Sequence, residues 1–323
     1  MIENKKSWKS LSFEGLVQVV AFFTLLFSIL SLFGELHRYL ELLSHFKIQY
    51  LIGSIACALI LFLYKNHKLT TALLINIIFN SIYIIPWYFQ DSEITSNKSQ
   101  TNFTVLHSNV FRDNKNYDDF IDLINDENPD LFVMQEVNEN WLIAIKELEK
   151  IYPHSYKTPR NDNFGIAIFS KYPFESVKKI KWNKSDVPSI KASIEIAGQL
   201  VTILAIHPLP PISQEYYQSR NTQINNVAEF SRKHKEPLII IGDLNTSMWS
   251  NDYQPLEDET GLRNASKGFG LLPTFPAQFL LPLFMIPIDH CLVSSHFVVN
   301  DIKVGNDIGS DHLPLIVKLS IKR

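Results

Sequence analysis

An acid and an amide two residues apart, Asp243 and Asn245, close the apolar octet Leu-Ile-Ile-Ile-Gly-Asp-Leu-Asn at residues 238–245. The leading run is short, apolar and β-branched, the pattern of a buried strand. Gly242 lets the chain turn and leaves room beside it. Alternation along an extended backbone sets Asp243 and Asn245 on one side, at the mouth of a sheet. A carboxylate beside a carboxamide can hold a water and a phosphoryl oxygen together. The same residues also suit an Asx-type turn after a buried strand, so the octet gains its weight from its company.

That company is a series of elements over residues 103–321. Residues 103–110 alternate and read as a strand ending at Asn109. Residues 117–128 have helical spacing and stop at Pro129. A second buried strand over 130–136 ends in Glu136, and 139–151 reads as helix. Residues 165–170 form a strand. Residues 189–196 and 200–206 form a hairpin through Ala197-Gly198-Gln199, whose second arm ends at His207-Pro208. Residues 215–233 are helical, 238–245 follow as strand, and 287–294 and 312–321 supply the last strands. Polar residues thus recur where apolar strands end: Asn109, Glu136, His207, Asp243, Asn245, Asp289 and Asp311-His312. In a layered α/β protein these ends are where loops converge to build a site. His290 follows Asp289, and alternation points it away from that site. Arg220 lies within the helical stretch near Glu215 and reads as part of a solvated face.

The chain has 323 residues with 46% hydrophobic content and a mean hydropathy of +0.01, and the apolar excess lies before about residue 90. Of 30 Lys+Arg and 33 Asp+Glu, seven basic and four acidic residues fall in 1–90, leaving 23 against 29 and a net charge of −6 for 90–323. Such a surface does not attract a polymer of phosphates without local compensation, which counts against a nucleic-acid substrate. Cys57 and Cys291 lie in different regions and suggest no disulfide framework.

Three stretches, 16–33, 48–64 and 69–89, are apolar and near the length that spans a bilayer. None carries the polar stripe that the outer helices of a soluble bundle require. The first could be a signal peptide, but Gly34-Glu35-Leu36 follows it rather than a small-x-small cleavage site, and two more spans come after. Residues 1–90 therefore read as a transmembrane anchor, 91–102 as a polar linker and 103–323 as a catalytic domain. Lys5, Lys6 and Lys9 precede the first span, and Lys65 and Lys68 sit between the second and third. The positive-inside rule puts these in the cytoplasm, so three spans deliver the rest to the other side.

Taken in order, Asn109, Gln135-Glu136, Gly165-Ile-Ala-Ile-Phe-Ser170, His207, Gly242-Asp-Leu-Asn245, Ile288-Asp-His290 and Ser310-Asp-His312 resemble the endonuclease/exonuclease/phosphatase (DNase I-like) superfamily. The resemblance covers nearly all of 103–321. It implies a four-layer α/β/β/α sandwich of two mixed sheets and Mg²⁺-dependent cleavage of phosphate esters, with Mn²⁺ a possible substitute. By this resemblance Glu136 is the metal ligand, with Asn109 and Asp311 completing the metal environment. Asp243 orients or deprotonates the attacking water, and Asn245 donates to the phosphoryl oxygen. His312 donates to the scissile phosphate, and Asp289 holds its ring from the other nitrogen. His207 faces the phosphate and helps the leaving group, although a lone strand-end histidine is often structural. Asn109, Asn245 and His207 are also the substrate contacts.

The anchor, together with Pro-Thr-Phe-Pro (273–276) and Ile-Pro-Ile-Asp-His-Cys-Leu-Val-Ser (286–294), is similar to a bacterial branch of glycopeptide-resistance proteins acting on lipid-linked phosphate. The expectation is a membrane-anchored, extracytoplasmic phosphohydrolase with a lipid-linked substrate. A nuclease or sphingomyelinase-like phosphodiesterase is the alternative. A non-catalytic receptor or scaffold on the same fold is a third reading; it expects eroded acids and histidines, and none of these positions is eroded. Residues 268–287 have four prolines, two glycines, no charge and many Leu and Phe. They suit either core or a lip, built from Phe279, Leu280, Leu281, Leu283 and Phe284, that meets a lipid.

The orientation is testable directly. An alkaline-phosphatase reporter fused after Arg323 should be active, and a fluorescent protein that matures only in the cytoplasm should stay dark there. The reverse pattern would refute the topology.

Overall fold

A computed structural model describes residues 12–89, 101–278 and 282–322, which divide into two units, Met1–Ile85 and Pro86–Arg323. Lys5, Lys6 and Lys9, nearly all of the expected linker, and Phe279, Leu280 and Leu281 lie outside the described residues.

The first unit is helical: α1 (Phe13–Leu30), α2 (Arg38–Ser44), α3 (Lys47–Leu63) and α4 (His67–Ile84). Two stretches, Phe13–Leu36 and His67–Tyr88, are each long and apolar enough to cross a membrane, and α2 with α3, bent by 65°, makes a third if counted as one span. The short helix α2 occupies part of what reads in the sequence as a loop between spans. The outward faces are apolar, with Phe22, Leu59, Phe62, Ile75 and Ile78 exposed. The polar side chains turn inward instead. Ser28 Oγ donates to Asn76 Oδ1 at 2.7 Å, and Asn76 Nδ2 to Ser54 Oγ at 2.9 Å. Asn80 Nδ2 reaches Ser28 Oγ at 3.0 Å. These bonds engage the amides that interrupt the third apolar stretch and tie α1, α3 and α4 together.

The second unit contains, in chain order, β1 (Thr101–Asn109), α5 (Tyr117–Glu127), β2 (Leu131–Gln135), α6 (Glu139–Ala144), β3 (His154–Thr158), β4 (Ile166–Ser170) and β5 (Phe174–Ile180). Then follow β6 (Ser189–Ile196), β7 (Gln199–Ala205), α7 (Gln214–Lys233), β8 (Leu238–Asp243), α8 (Pro255–Asp258), β9 (Arg263–Asn264), β10 (Asp289–Val293), β11 (Phe297–Val304) and β12 (Leu315–Ile321). They form two six-stranded sheets, ordered β11-β12-β1-β2-β4-β3 and β5-β6-β7-β8-β10-β9. Each sheet is mixed: β1–β2 and β7–β8 are parallel and the other pairs antiparallel.

The sheets pack face to face on alternate residues. Phe103, Val105, Leu131, Val133, Val317 and Leu319 of the first meet Ile190, Ala192, Ile203, Ile239 and Ile241 of the second. The intervening residues Leu106, Phe132, Met134 and Ile316 point outward, beneath Phe120, Ile124 and Trp141 of α5 and α6. α7 buries Ile224, Val227 and Ala228 and bonds Ser189 of β6 through Gln223. The architecture is the expected α/β sandwich.

Several local expectations need correction. The expected helix at 139–151 is short α6 followed by a 3-10 turn at Lys146–Lys150. The strands β3, β5, β9 and β11 go beyond the sequence reading, because β3 is half-buried throughout and β5 alternates irregularly. β1 begins at Thr101, inside the expected linker. Arg220 is not on a solvated face; it is 0% exposed.

Candidate active site

Both sheets deliver polar residues to the same end of the sandwich. In the first sheet Asn109 ends β1 in register with Gln135, the last residue of β2, and Glu136 follows immediately. In the second sheet Asp243, which ends β8, pairs with Asp289, which begins β10. His207 lies two residues beyond β7, and His312 precedes β12.

The gap between the sheets is closed by Gln135. Its Nε2 donates to the Ile206 carbonyl at 2.8 Å, and its Oε1 accepts from the Asp243 amide at 3.0 Å. Gly242 permits this approach: a Cβ there would lie 2.4 Å from Gln135 Nε2 and 2.0 Å from the Ile206 carbonyl, at a φ of +152°. Only glycine fits.

Within this frame the expected residues meet. Asn109 Nδ2 lies 3.2 Å from Glu136 Oε1 and 3.5 Å from Asp243 Oδ2. Asp243 Oδ2 also faces two imidazoles, with His207 Nε2 at 3.5 Å and His312 Nε2 at 3.7 Å. Asp289 Oδ2 accepts from His312 Nδ1 at 2.8 Å, as the carboxylate–imidazole reading requires. Ser310 Oγ, bonded to the Asn109 carbonyl at 2.7 Å, accepts from the His312 amide at 3.1 Å and so ties the His312 loop to β1. Phe275 lies against the His312 ring and Phe164 against His207. Glu136 and Asn245 hold φ of 59° and 51°, left-handed values that are strained for residues with a Cβ. His290 points away, toward Asn264 and the Thr246 carbonyl.

Asn245 is placed differently from a simple alternation. Its backbone N–H closes an Asx turn by donating to Asp243 Oδ1 at 2.8 Å, and its side-chain Nδ2 donates to the Pro208 carbonyl at 3.0 Å. The turn and the cluster of acids and imidazoles are compatible, since that bond leaves Asp243 Oδ2 facing the histidines. Arg220 holds this corner: its guanidinium donates to the Asn245 carbonyl and to Asp252 Oδ2, both at 2.9 Å.

The electrostatics follow from packing acids and bases under cover. Burial raises the Glu136 carboxyl above its ordinary value; Asp311 reinforces this, and His207 and Asn109 oppose it. Burial likewise raises Asp311, with Asp243 and Asp289 adding to the effect. Burial works against a charge on His312, but Asp289, Asp243 and Asp311 outweigh it and push the imidazole up to about 10. Burial opposes the Asp289 charge too, yet His312 and His107 hold that carboxyl far below its usual range. At neutral pH His312 is an imidazolium held by a carboxylate.

Among the described residues, no three His, Cys, Asp or Glu side chains converge as a ready-made metal cage. The site offers a buried carboxylate instead, Glu136, whose Oε2 has no hydrogen-bond partner among the described residues. Asn109 adjoins it, and the charge of Asp311 bears on it. That donor set fits a hard cation that keeps most of its waters.

Two residues at this end escape the sequence reading. His107, two positions before Asn109, hydrogen-bonds Asp289 Oδ1 at 2.7 Å, and Thr274 Oγ1 lies 2.5 Å from Asp289 Oδ2. The period-two pattern Phe103, Val105, His107, Asn109 already puts His107 on the inner face. Thr274 and Phe275 belong to the apolar stretch, whose stem is core: both amides bond the Ile286 carbonyl, and Met285 and Ile286 are buried. At its tip Leu283 and Phe284 are 41% and 44% exposed.

The chain belongs to the Endonuclease/Exonuclease/phosphatase family, whose pattern matches residues 106–312. Enzymes of this family hydrolyse phosphoester bonds and generally use divalent metal ions. A family protein from Bacteroides thetaiotaomicron is similar at 20% identity, over 70% of this chain and 100% of its own, with a TM-score of 0.57. D. rerio TDP2 complexed with a single-strand DNA product matches at 15% identity, over 68% and 99%, with a TM-score of 0.58. A functionally unknown Enterococcus faecalis protein matches at 17% identity, over 68% and 100%, with a TM-score of 0.57. No curated protein matches the chain. These likenesses establish the fold.

The charge on His312 is open to measurement. Because its folded value is raised from the ordinary 6.5 to about 10, its contribution to stability is complete below 6.5 and lost as pH rises through about 10. In an NMR titration of the metal-free protein the His312 ring should stay protonated to near pH 10. Asp289→Asn should bring that midpoint down by more than about one pH unit, on the order of the loss of one buried opposing charge. An unmoved midpoint would contradict the assignment.

Proposed function

We propose that this protein is a membrane-anchored, Mg²⁺-dependent phosphohydrolase whose catalytic unit lies outside the cytoplasm and whose substrate is a lipid-linked phosphate or pyrophosphate. The observation that carries this reading is the pairing, in one chain, of apolar helices long enough to cross a membrane with a phosphoester-hydrolase site. The net charge of −6 over 90–323 supports a small or lipid-borne phosphate over a nucleic acid. The exposed Leu283 and Phe284, on the loop that brings Thr274 and Phe275 to the site, suit contact with an acyl chain.

Glu136 would hold the cation, with Asn109 and Asp311 beside it. When bound, Mg²⁺ or Mn²⁺ offsets phosphate charge and helps activate water. Asp243 Oδ2 is the acceptor for the attacking water, aligned by Asn109 and the Asn245 turn. His312, protonated and fixed by Asp289, donates to a phosphoryl oxygen as negative charge builds there. His207, 3.5 Å from Asp243 Oδ2, would serve the leaving oxygen. The remaining amide proton of Asn245 faces the phosphoryl oxygen in this scheme, while the other stays on Pro208.

A nuclease is the competing reading, favoured by the fold shared with D. rerio TDP2 in its DNA-product complex. Detergent-solubilised protein with Mg²⁺ should release phosphate from a lipid pyrophosphate faster than it cleaves sphingomyelin or DNA. Activity should vanish with chelator and return with excess Mg²⁺. Glu136→Ala and Asp243→Asn should each lower turnover about a hundredfold or more with the fold intact. Cleavage of DNA alone would replace the lipid reading by the nuclease one, and full activity in either variant would remove the mechanism.

A further inference from the structure

His107 sits where the sequence pattern calls for an aliphatic residue. It lies on β1 opposite Val133 of β2 and Leu315 of β12, and shares its face with Phe103 and Val105. The surrounding inner faces are apolar, and His107 is 0% exposed. Valine or isoleucine there would continue the core without burying a polar ring, which is costly wherever a ring nitrogen goes unpaired. His107 Nδ1 indeed finds no partner among the described residues. Among the described residues the ring's one hydrogen bond is Nε2 to Asp289 Oδ1, 2.7 Å across the sandwich.

That contact completes the carboxylate. Asp289 Oδ2 takes His312 Nδ1 and Thr274 Oγ1, so without His107 the other oxygen would be buried and bare. Since Asp289 is ionised, it can only accept, and His107 must present Nε2–H to it. Bonds on both oxygens fix the plane of the carboxylate. That plane sets the direction of the His312 ring, and with it the aim of His312 Nε2 toward Asp243.

We propose that His107 is a positioning residue for His312, acting through Asp289: a histidine–carboxylate–histidine relay that crosses from one sheet to the other. This rests on the reading of His312 as the donor to the scissile phosphate. His107 itself touches no substrate; it keeps His312 aimed.

The amide of glutamine reaches about as far from the backbone as imidazole Nε2, whereas asparagine is one methylene shorter and leucine has no donor. The prediction is therefore a ranking among His107→Gln, His107→Asn and His107→Leu in the full-length, detergent-solubilised protein. On the phosphate ester that wild type cleaves best, His107→Gln should keep kcat within about threefold. His107→Asn and His107→Leu should lose about tenfold to a hundredfold in kcat, with KM changed less than about twofold, the range expected for a misaimed proton donor. The Gln/Asn pair differs by one methylene, so it decides the question even where His107→Leu fails to fold. A second readout is independent of turnover: the downfield proton of His312 Nδ1–H should persist in His107→Gln and shift or vanish in His107→Asn. Wild-type kcat and an unshifted proton in His107→Asn would overturn the proposal. So would equal losses in His107→Gln and His107→Asn. If wild type cleaves no phosphate ester, the hydrolase reading fails, and the proton signal alone still decides whether His107 aims His312.

Discussion

One buried amide holds the two halves of this site together. Gln135, at the end of a strand in the first sheet, commits both ends of its carboxamide to the backbone of the second, at Ile206 and Asp243. A doubly satisfied amide in an apolar interior adds little net stability, but it specifies one alignment, because any slip strands a donor and an acceptor. Glycine at 242 is the other half of that constraint, since a side chain would occupy the space the amide fills. The residues next to the clamp are Glu136 on one sheet and Asp243 on the other. Their meeting, bridged by Asn109, is a consequence of the clamp rather than a separate feature.

The second cross-sheet link is His107 to Asp289. The two links sit at the same end of the sandwich, and the rest of the interface is dominated by aliphatic side chains. An aliphatic interface supplies burial but no fixed register, so the polar bridges set where the polar residues of the site lie. The assembly brings Glu136, Asp243, Asp289 and Asp311 together with three buried histidines, His107, His207 and His312. Burial and mutual repulsion raise Glu136 and Asp311, and His312 answers by holding its proton to about 10. A site with this excess of carboxylates is suited to positive charge and to the phosphate that accompanies it.

Much of this is legible in the sequence, for a physical reason. A strand buried on both faces is a run of apolar residues, so a polar residue at its boundary stands out; Glu136, Asp243 and Asp289 are visible that way, and Asn109 closes the alternating β1. β3 and β5 escape because strands near a sheet's edge, partly exposed, lack that contrast. Arg220 misleads through its charge, although Arg220, Ile224, Val227 and Ser231 share one helical face, and that face is buried. His107 hides inside a strand, although its spacing from Asn109 places both on the inner side. The polar seam of Ser28, Ser54, Asn76 and Asn80 follows the same logic in the helical unit, where polar residues within apolar spans face one another.

The dependence of the site on the clamp is open to a single measurement: turnover by Gln135→Met, which keeps the volume and removes both hydrogen bonds, on the phosphate ester wild type cleaves best. If the clamp sets the alignment of Glu136 with Asp243, kcat should fall about a hundredfold while unfolding stays cooperative, as a displacement of about 1 Å would cause. A variant that keeps wild-type kcat would show that apolar packing alone aligns the sheets, and that the Gln135 clamp is not what assembles the site.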